Sequence, residues 1–490
     1  MRRPAALVSL IALAGCTVGP DYRPRTTTEL GVPDAYSVPA GQTAEDLTRY
    51  WSRFGDPELT RLVEQARDRN TDLAQAIGRL RQAREALIQS RASLLPTLSG
   101  SAGYSRSENL AGGTSVITNA NGATTTISRS AGSNFSLGLD AQYQLGLFGE
   151  LRRTVEASRA ENDASRFDYA GVLVSVTSET ARNYMLARGL QAQIANATAS
   201  LAIQDDNLEI AGFRVQAGLV SSLDAEQARS QRAQTAATVP QLQQQYDAAV
   251  ARLGVLTGQA PGALRTEMAA QQPIPLGPGQ NGSAGVDAGI PADVLRQRPD
   301  VRAAERALAA ATARIGVAKA QLYPALAITG NIDTNAGALG NLAQTITGGL
   351  FAGLTQAIFN GGRLRSQVRA QEAAAETALA NYKGTVLLAL EDVENALTAY
   401  RAAQARQREF AIALDAANNS ALLSRSQYRT GLTDFTTLQN QELTLLNARN
   451  GLTQAQADQA TALVALYAAL GGGWDVGTLP DGSAVQTGTR

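Results

Sequence analysis

Between Phe135 and Leu147 the odd positions carry Phe135, Leu137, Leu139, Ala141, Tyr143, Leu145 and Leu147, and the even positions carry Ser136, Gly138, Asp140, Gln142, Gln144 and Gly146. Alternation at period two over about a dozen residues predicts a strand with one apolar and one polar face. A helical pattern begins almost at once, at Glu150, and runs to about Gln216, where Gly218 stops it. A second helix, opened by Ser221, Ser222, Leu223 and Asp224, continues to about Thr257, and Gly258 to Ile290 is a Pro- and Gly-rich linker. Ahead of the strand, Asp56-Pro57-Glu58 opens a helix predicted to run to about Leu94, and Pro96 breaks it. Thr97 to Ser105 alternates as a partner strand, with Arg106 to Ser130 as a polar hairpin loop.

The same order then recurs. ASLLPTL, from Ala92 to Leu98, matches AQLYPAL, from Ala320 to Leu326; LFGELRR matches IFNGGRLR, and VQAGLVSSLDAEQA matches YRTGLTDFTTLQNQ. Matches in one order predict an internal two-fold repeat. Its second copy has a helix from Arg298 to about Gln321 and a strand through Leu326, Ile328 and Ile332. A further strand spans Ile346 to Phe359, with Leu350, Ala352, Leu354 and Ile358 in phase. A long helix from about Arg363 to Thr430 and a last helix from about Phe435 to Leu470 complete it. Leu438, Leu445, Leu452 and Leu466 fall on a heptad row, as do Leu379, Val386, Val393 and Tyr400, so the helices pack side by side as coiled coils.

Helices of about 66 residues reach about 100 Å, the length of a strut rather than of a globular core. The two shorter helices, 222–257 and 298–321, nearly match one long helix when stacked end to end, which makes the linker between them project at mid-height as a belt. Two strands per repeat give four per chain. In lipid such a sheet leaves unpaired edges, so closure must come from other copies. Eight strands fill their own interior, and a conducting barrel needs at least three chains and twelve strands. The pattern alone does not fix the copy number at three.

Composition narrows the chemistry. The 490 residues include 43 basic and 43 acidic side chains, no His and one Cys. A net charge of zero argues against nucleic acid as a partner. Without His, a spare thiol or a phosphate-binding Gly loop, there is no catalytic machinery to assign. The N-terminus has Arg2 and Arg3, an apolar run from Ala5 to Ala14, and then Gly15-Cys16. The run is too short for a bilayer span, which takes about 20 apolar residues, and reads as an export signal. Its end resembles the lipobox of bacterial lipoproteins, in which Cys16 takes a diacylglyceryl group and its new amine is acylated. The alternatives are an ordinary signal peptide with an incidental Cys, or an unprocessed apolar start.

GCTVGPDYRP, YWSRFGDPELTRLVEQA, RPDVRAAE, IFNGGRLRSQV and YRTGLTDFTTLQ, together with the repeat, resemble the TolC-like outer membrane factors of the NodT/OprM lipoprotein type. The resemblance implies an α+β membrane protein. It further implies a homotrimer whose twelve-stranded transmembrane β-barrel, four strands per chain, is continuous with a long periplasmic α-helical barrel. The chain then divides into a signal peptide (1–15), a lipidated equatorial tether (16–57), repeat 1 (58–257), an equatorial linker (258–297), repeat 2 (298–470) and an equatorial tail (471–490). Such proteins are lipid-anchored exit ducts of tripartite efflux systems. They sit in outer membrane lipid and dock on a periplasmic adaptor and an inner membrane pump, in this branch usually a proton-driven RND pump, and they use no cofactor.

In the family the duct closes at its periplasmic tip, here Phe213 to Gln227 and Tyr428 to Gln441. The family's Tyr, turn Gly and capping residue fall on Tyr428, Gly431 and Thr433, and Gly218 is the turn Gly of the first tip. The Asp that often makes the narrowest ring falls on Asn440, and Thr437 is likewise uncharged, which weakens the case for cation preference. Asp434 and Asp224 could supply charge nearby, although both stand where helix caps stand. Phe148-Gly149 and Phe359 with Gly361-Gly362 mark the two β-to-α passages. Two other readings are a type I protein secretion duct and, from another class, a lipid-anchored coiled-coil adaptor without a pore.

Overall fold

The structure is a computed structural model and describes residues 17–37, 46–108, 114–118, 121–122, 124–128, 132–278, 291 and 297–482. The signal segment 1–15, Cys16, much of the 258–297 linker and the end of the 471–490 tail lie outside the described residues. The elements are α1 (Pro57–Arg69), α2 (Thr71–Ala92), β1 (Thr97–Ser107), β2 (Thr114–Thr118), β3 (Thr124–Ser128), β4 (Gly132–Leu145), α3 (Glu150–Gln216), α4 (Ser222–Leu256) and α5 (Arg265–Met268) in the first half. The second half has α6 (Pro299–Ala320), β5 (Ala325–Ala336), β6 (Ile346–Thr355), α7 (Arg363–Thr430) and α8 (Phe435–Ala469). No helix among the described residues is long and apolar enough to cross a membrane.

Two compact units divide the chain. The first, 1–23, 83–161 and 307–378, holds an antiparallel sheet in the order β1-β4-β5-β6, with β1 and β6 as its edges. Register explains the alternation in the sequence, because directly opposed residues share a face. Leu98 faces Ala141, Ala141 faces Gly330 and Gly330 faces Leu350; Gly100, Leu139, Ile332 and Gly348 form the next row, and Ala102, Leu137, Thr334 and Ile346 the one after. The other face carries Ser99, Asp140, Asn331 and Gly349, then Ser101, Gly138, Asp333 and Thr347. Leu98, Leu137, Leu139, Ile332, Leu350 and Leu354 of the apolar face are exposed. Phe351 breaks the rule by standing on the polar face, where its ring lies over Gly353.

The second unit, 24–82, 162–306 and 379–490, is helical. Its core gathers the YWSRFGDPEL segment. Tyr50 meets Trp51 and Tyr467, each at 5.3 Å between ring centroids, and Phe54 meets Tyr467 at 6.4 Å. Asp56 caps α1 by accepting from the Glu58 and Leu59 amides. The RPDV motif is a joint. Arg298 Nη2 reaches Asp300 (2.7 Å) and Asp392 (3.0 Å), its Nη1 donates to Ala469 O (3.1 Å), and Trp474 Nε1 donates to Gln297 O (3.0 Å). Arg302 lies over the rings of Phe167 and Trp474. Leu438, Leu445 and Leu466 are buried, as are Val386, Val393 and Tyr400, in keeping with the heptad rows.

Four expectations change. The helix expected from Asp56 to Leu94 is broken at Asn70, which adopts an extended backbone. Its Oδ1 accepts from the Asp72 and Leu73 amides, and its Nδ2 donates to Leu256 O, so a tertiary hydrogen bond rewards the break. The loop expected from Arg106 to Ser130 contains the β2-β3 ribbon, whose Thr-rich strands have β propensity that its polarity hid. The strand expected to reach Phe359 ends at Thr355, leaving Ile358 and Phe359 outside the sheet, and β4 ends at Leu145 rather than Leu147. The linker holds a short helix, α5.

Candidate functional site

In the first unit the decisive geometry lies where strand becomes helix. Gly149 adopts φ +84°, its N–H bonds Gly146 O, and its own carbonyl accepts from Arg153 N, so a four-residue turn converts β4 into α3. Phe148 stacks on Tyr323, at the entry to β5, with centroids 4.6 Å apart and planes 22° from parallel. The second passage was expected to be similar and is not. Gly361 and Gly362 both have positive φ, but Phe359 is 91% exposed and Ile358 92% exposed. The reason is topological: Phe148 leaves a strand whose neighbour, β5, is in the same chain, whereas Phe359 leaves edge strand β6.

In the second unit two helical turns pack together. Gly218 (φ +68°) ends α3 and Gly431 (φ +79°) ends α7, and in each case the next residue's N–H reaches back to a carbonyl of the last turn, Leu219 to Arg214 and Leu432 to Gln427. Tyr428, 1% exposed, lies in a cluster with Ala211, Ala228, Phe435 and Leu438, edge-on to Phe435 at 5.8 Å. Arg214 covers the Tyr428 ring at 4.6 Å, and its Nη1 donates to Tyr428 O at 2.9 Å. Burial pushes the Tyr428 phenol above its ordinary pKa, with the Arg214 cation opposing the shift.

Amides extend the junction. Gln439 Nε2 donates to Gln231 Oε1 (3.1 Å), and Gln204 and Gln231 both donate to Thr235 Oγ1. Arg425 pairs with the buried carboxylate of Glu442. Asp434 caps α8, accepting from the Thr437 N–H (2.7 Å) and hydroxyl (3.2 Å), which holds its carboxyl below the usual range. Asp224 is not the cap of α4; Ser221 is, and Asp224 sits in the first turn. Thr433 is half-buried, while Thr437 and Asn440 are exposed on one face of α8. Sequence reasoning missed Arg214, Gln231 and the Arg425–Glu442 pair. Nothing local marks Arg214, because its partner lies far along the chain in the other repeat. Among the described residues no cluster of acidic side chains is arranged to hold a metal ion.

The sequence pattern named Outer membrane efflux protein matches residues 62–259 and 290–472. The chain belongs to the outer membrane efflux protein family. Its relatives include the pyoverdine export outer membrane protein OpmQ of Pseudomonas putida, 31% identical, with 91% of this chain and 93% of OpmQ covered. Nodulation protein T of Rhizobium leguminosarum bv. trifolii is 31% identical, with 94% of each chain covered. Among solved structures, the outer-membrane channel OprN superposes with a TM-score of 0.81 at 32% identity, covering 94% of this chain and 100% of that one. This member of the outer membrane efflux protein family is thus an outer membrane channel that transports and is not an enzyme. The exposed apolar rows of its sheet are the lipid-compatible face such a location requires.

Proposed function

We propose that the protein is the exit duct of a tripartite efflux system, a homotrimer whose three sheets close one twelve-stranded barrel continued by the long helices into the periplasm. One observation carries this reading: the unequal pair of passages. In the repeat, the partner of Phe359 that corresponds to Tyr323 is Leu95, at the entry to β1, and Leu95 is 65% exposed. Joining β6 of one copy to β1 of the next gives each Phe359 the kind of seat that Phe148 has within its own chain. It also pairs edge backbone groups that would each cost several kcal/mol unpaired in hydrocarbon. Twelve strands leave a water-filled lumen, with the Asp140, Asn331 and Asp333 face inward.

The halves 58–257 and 298–470 then form barrel and strut, the segments 16–57, 258–297 and 471–490 a mid-height belt, and 1–15 the removed signal. Cys16 carries the lipid anchor. The tips meet a periplasmic adaptor and, through it, an inner membrane pump of the RND type. Cargo is small molecules, on the precedent of the pyoverdine exporter. Tyr428 and Arg214 hold the tip shut, with the neutral Thr437 and Asn440 ring at the constriction and Asp434 and Asp224 as the nearby charges. Native mass spectrometry of the detergent-extracted protein should give three chains, and deletion of the gene should increase susceptibility to drugs or solvents. A monomer that stays monomeric in lipid nanodiscs contradicts the proposal.

A further inference from the structure

The first described residues, Thr17 to Tyr22, occupy a seat made from separate parts of the first unit. Val18 N donates to Phe148 O at 3.2 Å, so the segment joins the backbone at the β4-to-α3 turn. Arg153, one turn into α3 with its side chain 5% exposed, gathers the rest. Its Nε donates to Val18 O (3.4 Å), its Nη2 to Gly19 O (3.4 Å) and Asp21 Oδ1 (2.7 Å), and its Nη1 to Glu156 Oε2 (2.8 Å). Tyr22 packs against Ala160, Ala309 and Ala310.

Three glycines clear the space. A Cβ on Gly149 would lie 2.7 Å from Thr17 Cγ2, one on Gly19 would collide with Gly316 Cα, and one on Gly316 would lie 2.9 Å from Arg153 Cδ. Gly316 is inside α6, where alanine is the better helix former, so its missing side chain serves the close approach rather than the helix. A buried guanidinium aimed at two backbone carbonyls of one short segment is a fitted seat, because leaving those donors unpaired would be costly.

We propose that residues 17–22 are a docking strap, with Arg153 as its positioning residue, that fixes where the acylated N-terminus enters the membrane: beside the β4-to-α3 passage, one residue from Thr17. The proposal rests on the reading of Cys16 as the lipid anchor. Without the seat, the chain ahead of buried Leu30 is a tether of about a dozen residues with an r.m.s. reach of about 20 Å. With it, the acyl chains hold this chain's strands at the leaflet, which raises their effective concentration for closing a barrel with other copies. Assembly therefore depends on the seat and the lipid together.

The test uses the full chain in outer membranes. Arg153→Gln and Gly19→Val should raise amide exchange at Val18 at least tenfold, and Asp21→Asn should raise it less. Asp21 is 81% exposed, so that variant leaves the core intact, and Asp21→Glu should restore protection. Arg23→Gln, just beyond the strap, should match wild type. The mass of the N-terminal peptide should show Cys16 acylated throughout, while the oligomer fraction falls in the order of Val18 release. In a Cys16→Ala background exported by a cleavable non-lipoprotein signal, Arg153→Gln should cause no further loss of oligomer, whereas a merely structural role would still lower it. Unchanged Val18 protection in Arg153→Gln and Asp21→Asn overturns the strap, as does release of Val18 with a full oligomer fraction. An unmodified Cys16 in wild type overturns the anchor reading separately.

Discussion

Replacing Phe359 with alanine removes the side chain expected to bridge neighbouring copies while leaving the isolated chain nearly untouched. Phe359 and Ile358 are 91% and 92% exposed in the chain, so neither contributes to its own core. The within-chain counterpart, Phe148 on Tyr323, shows the contact that Phe359 should regain against Leu95 of the next copy. Fully burying a Phe side chain contributes about 1.5–3 kcal/mol, so with partial burial a loss of about 2 kcal/mol per joint is reasonable. Three joints per ring make that about 6 kcal/mol, or about 10⁴ in the assembly constant. The assay is semi-native electrophoresis of membrane extracts across a temperature series. Phe359→Ala should convert oligomer to monomer well below the wild-type temperature, whereas Phe148→Ala should also loosen the monomer's own β4–β5 junction. An oligomer of Phe359→Ala that dissociates at the wild-type temperature refutes the reasoning.

Other consequences follow from the same geometry. Carrying the β4–β5 register through the repeat sets Ala352 opposite Ala102 of the next copy, both on the apolar face. With Cys16 the sole native Cys, an Ala102→Cys, Ala352→Cys variant treated with a short thiol cross-linker should give dimer and trimer bands; monomer alone contradicts that pairing. Arg214→Ala should raise single-channel conductance much as Tyr428→Ala does, since both remove the contact between guanidinium and ring; a wild-type conductance would detach Arg214 from the gate. The Asp434 carboxyl is held low by the Thr437 N–H and hydroxyl, so its cap is present at neutral pH and lost as pH falls through that lowered value. Exchange at the Thr437 amide, corrected for intrinsic pH dependence, should rise over that window in wild type and stay flat in Asp434→Asn.

Where one local signal decides the structure, the sequence was readable. Gly218 and Gly431 end the two long helices, and period-two alternation marks β1, β4 and β5 because one face had to be apolar. Asn70 offered a local cap signal, its Oδ1 accepting from the Asp72 and Leu73 amides, but the other bond that holds the break reaches Leu256 O, far along the chain. The expectation of two similar passages failed for a related reason. A repeat in sequence cannot say which of its contacts stay inside one chain, and Phe148 follows an inner strand, β4, whereas Phe359 follows an edge strand, β6. At the tip the turn glycines and the Asp434 cap were legible, but Arg214 on Tyr428 and Gln439 on Gln231 unite helices from different repeats and leave no mark in either segment.

The central claim is that this chain forms a gated water-filled duct, and single-channel recording of the purified protein in planar bilayers tests it most directly. Wild type should give discrete, small conductance steps, and Tyr428→Ala and Asn440→Ala should each give larger ones with normal assembly. Protein that inserts as an oligomer yet passes no current, in wild type and in both variants, would contradict the account.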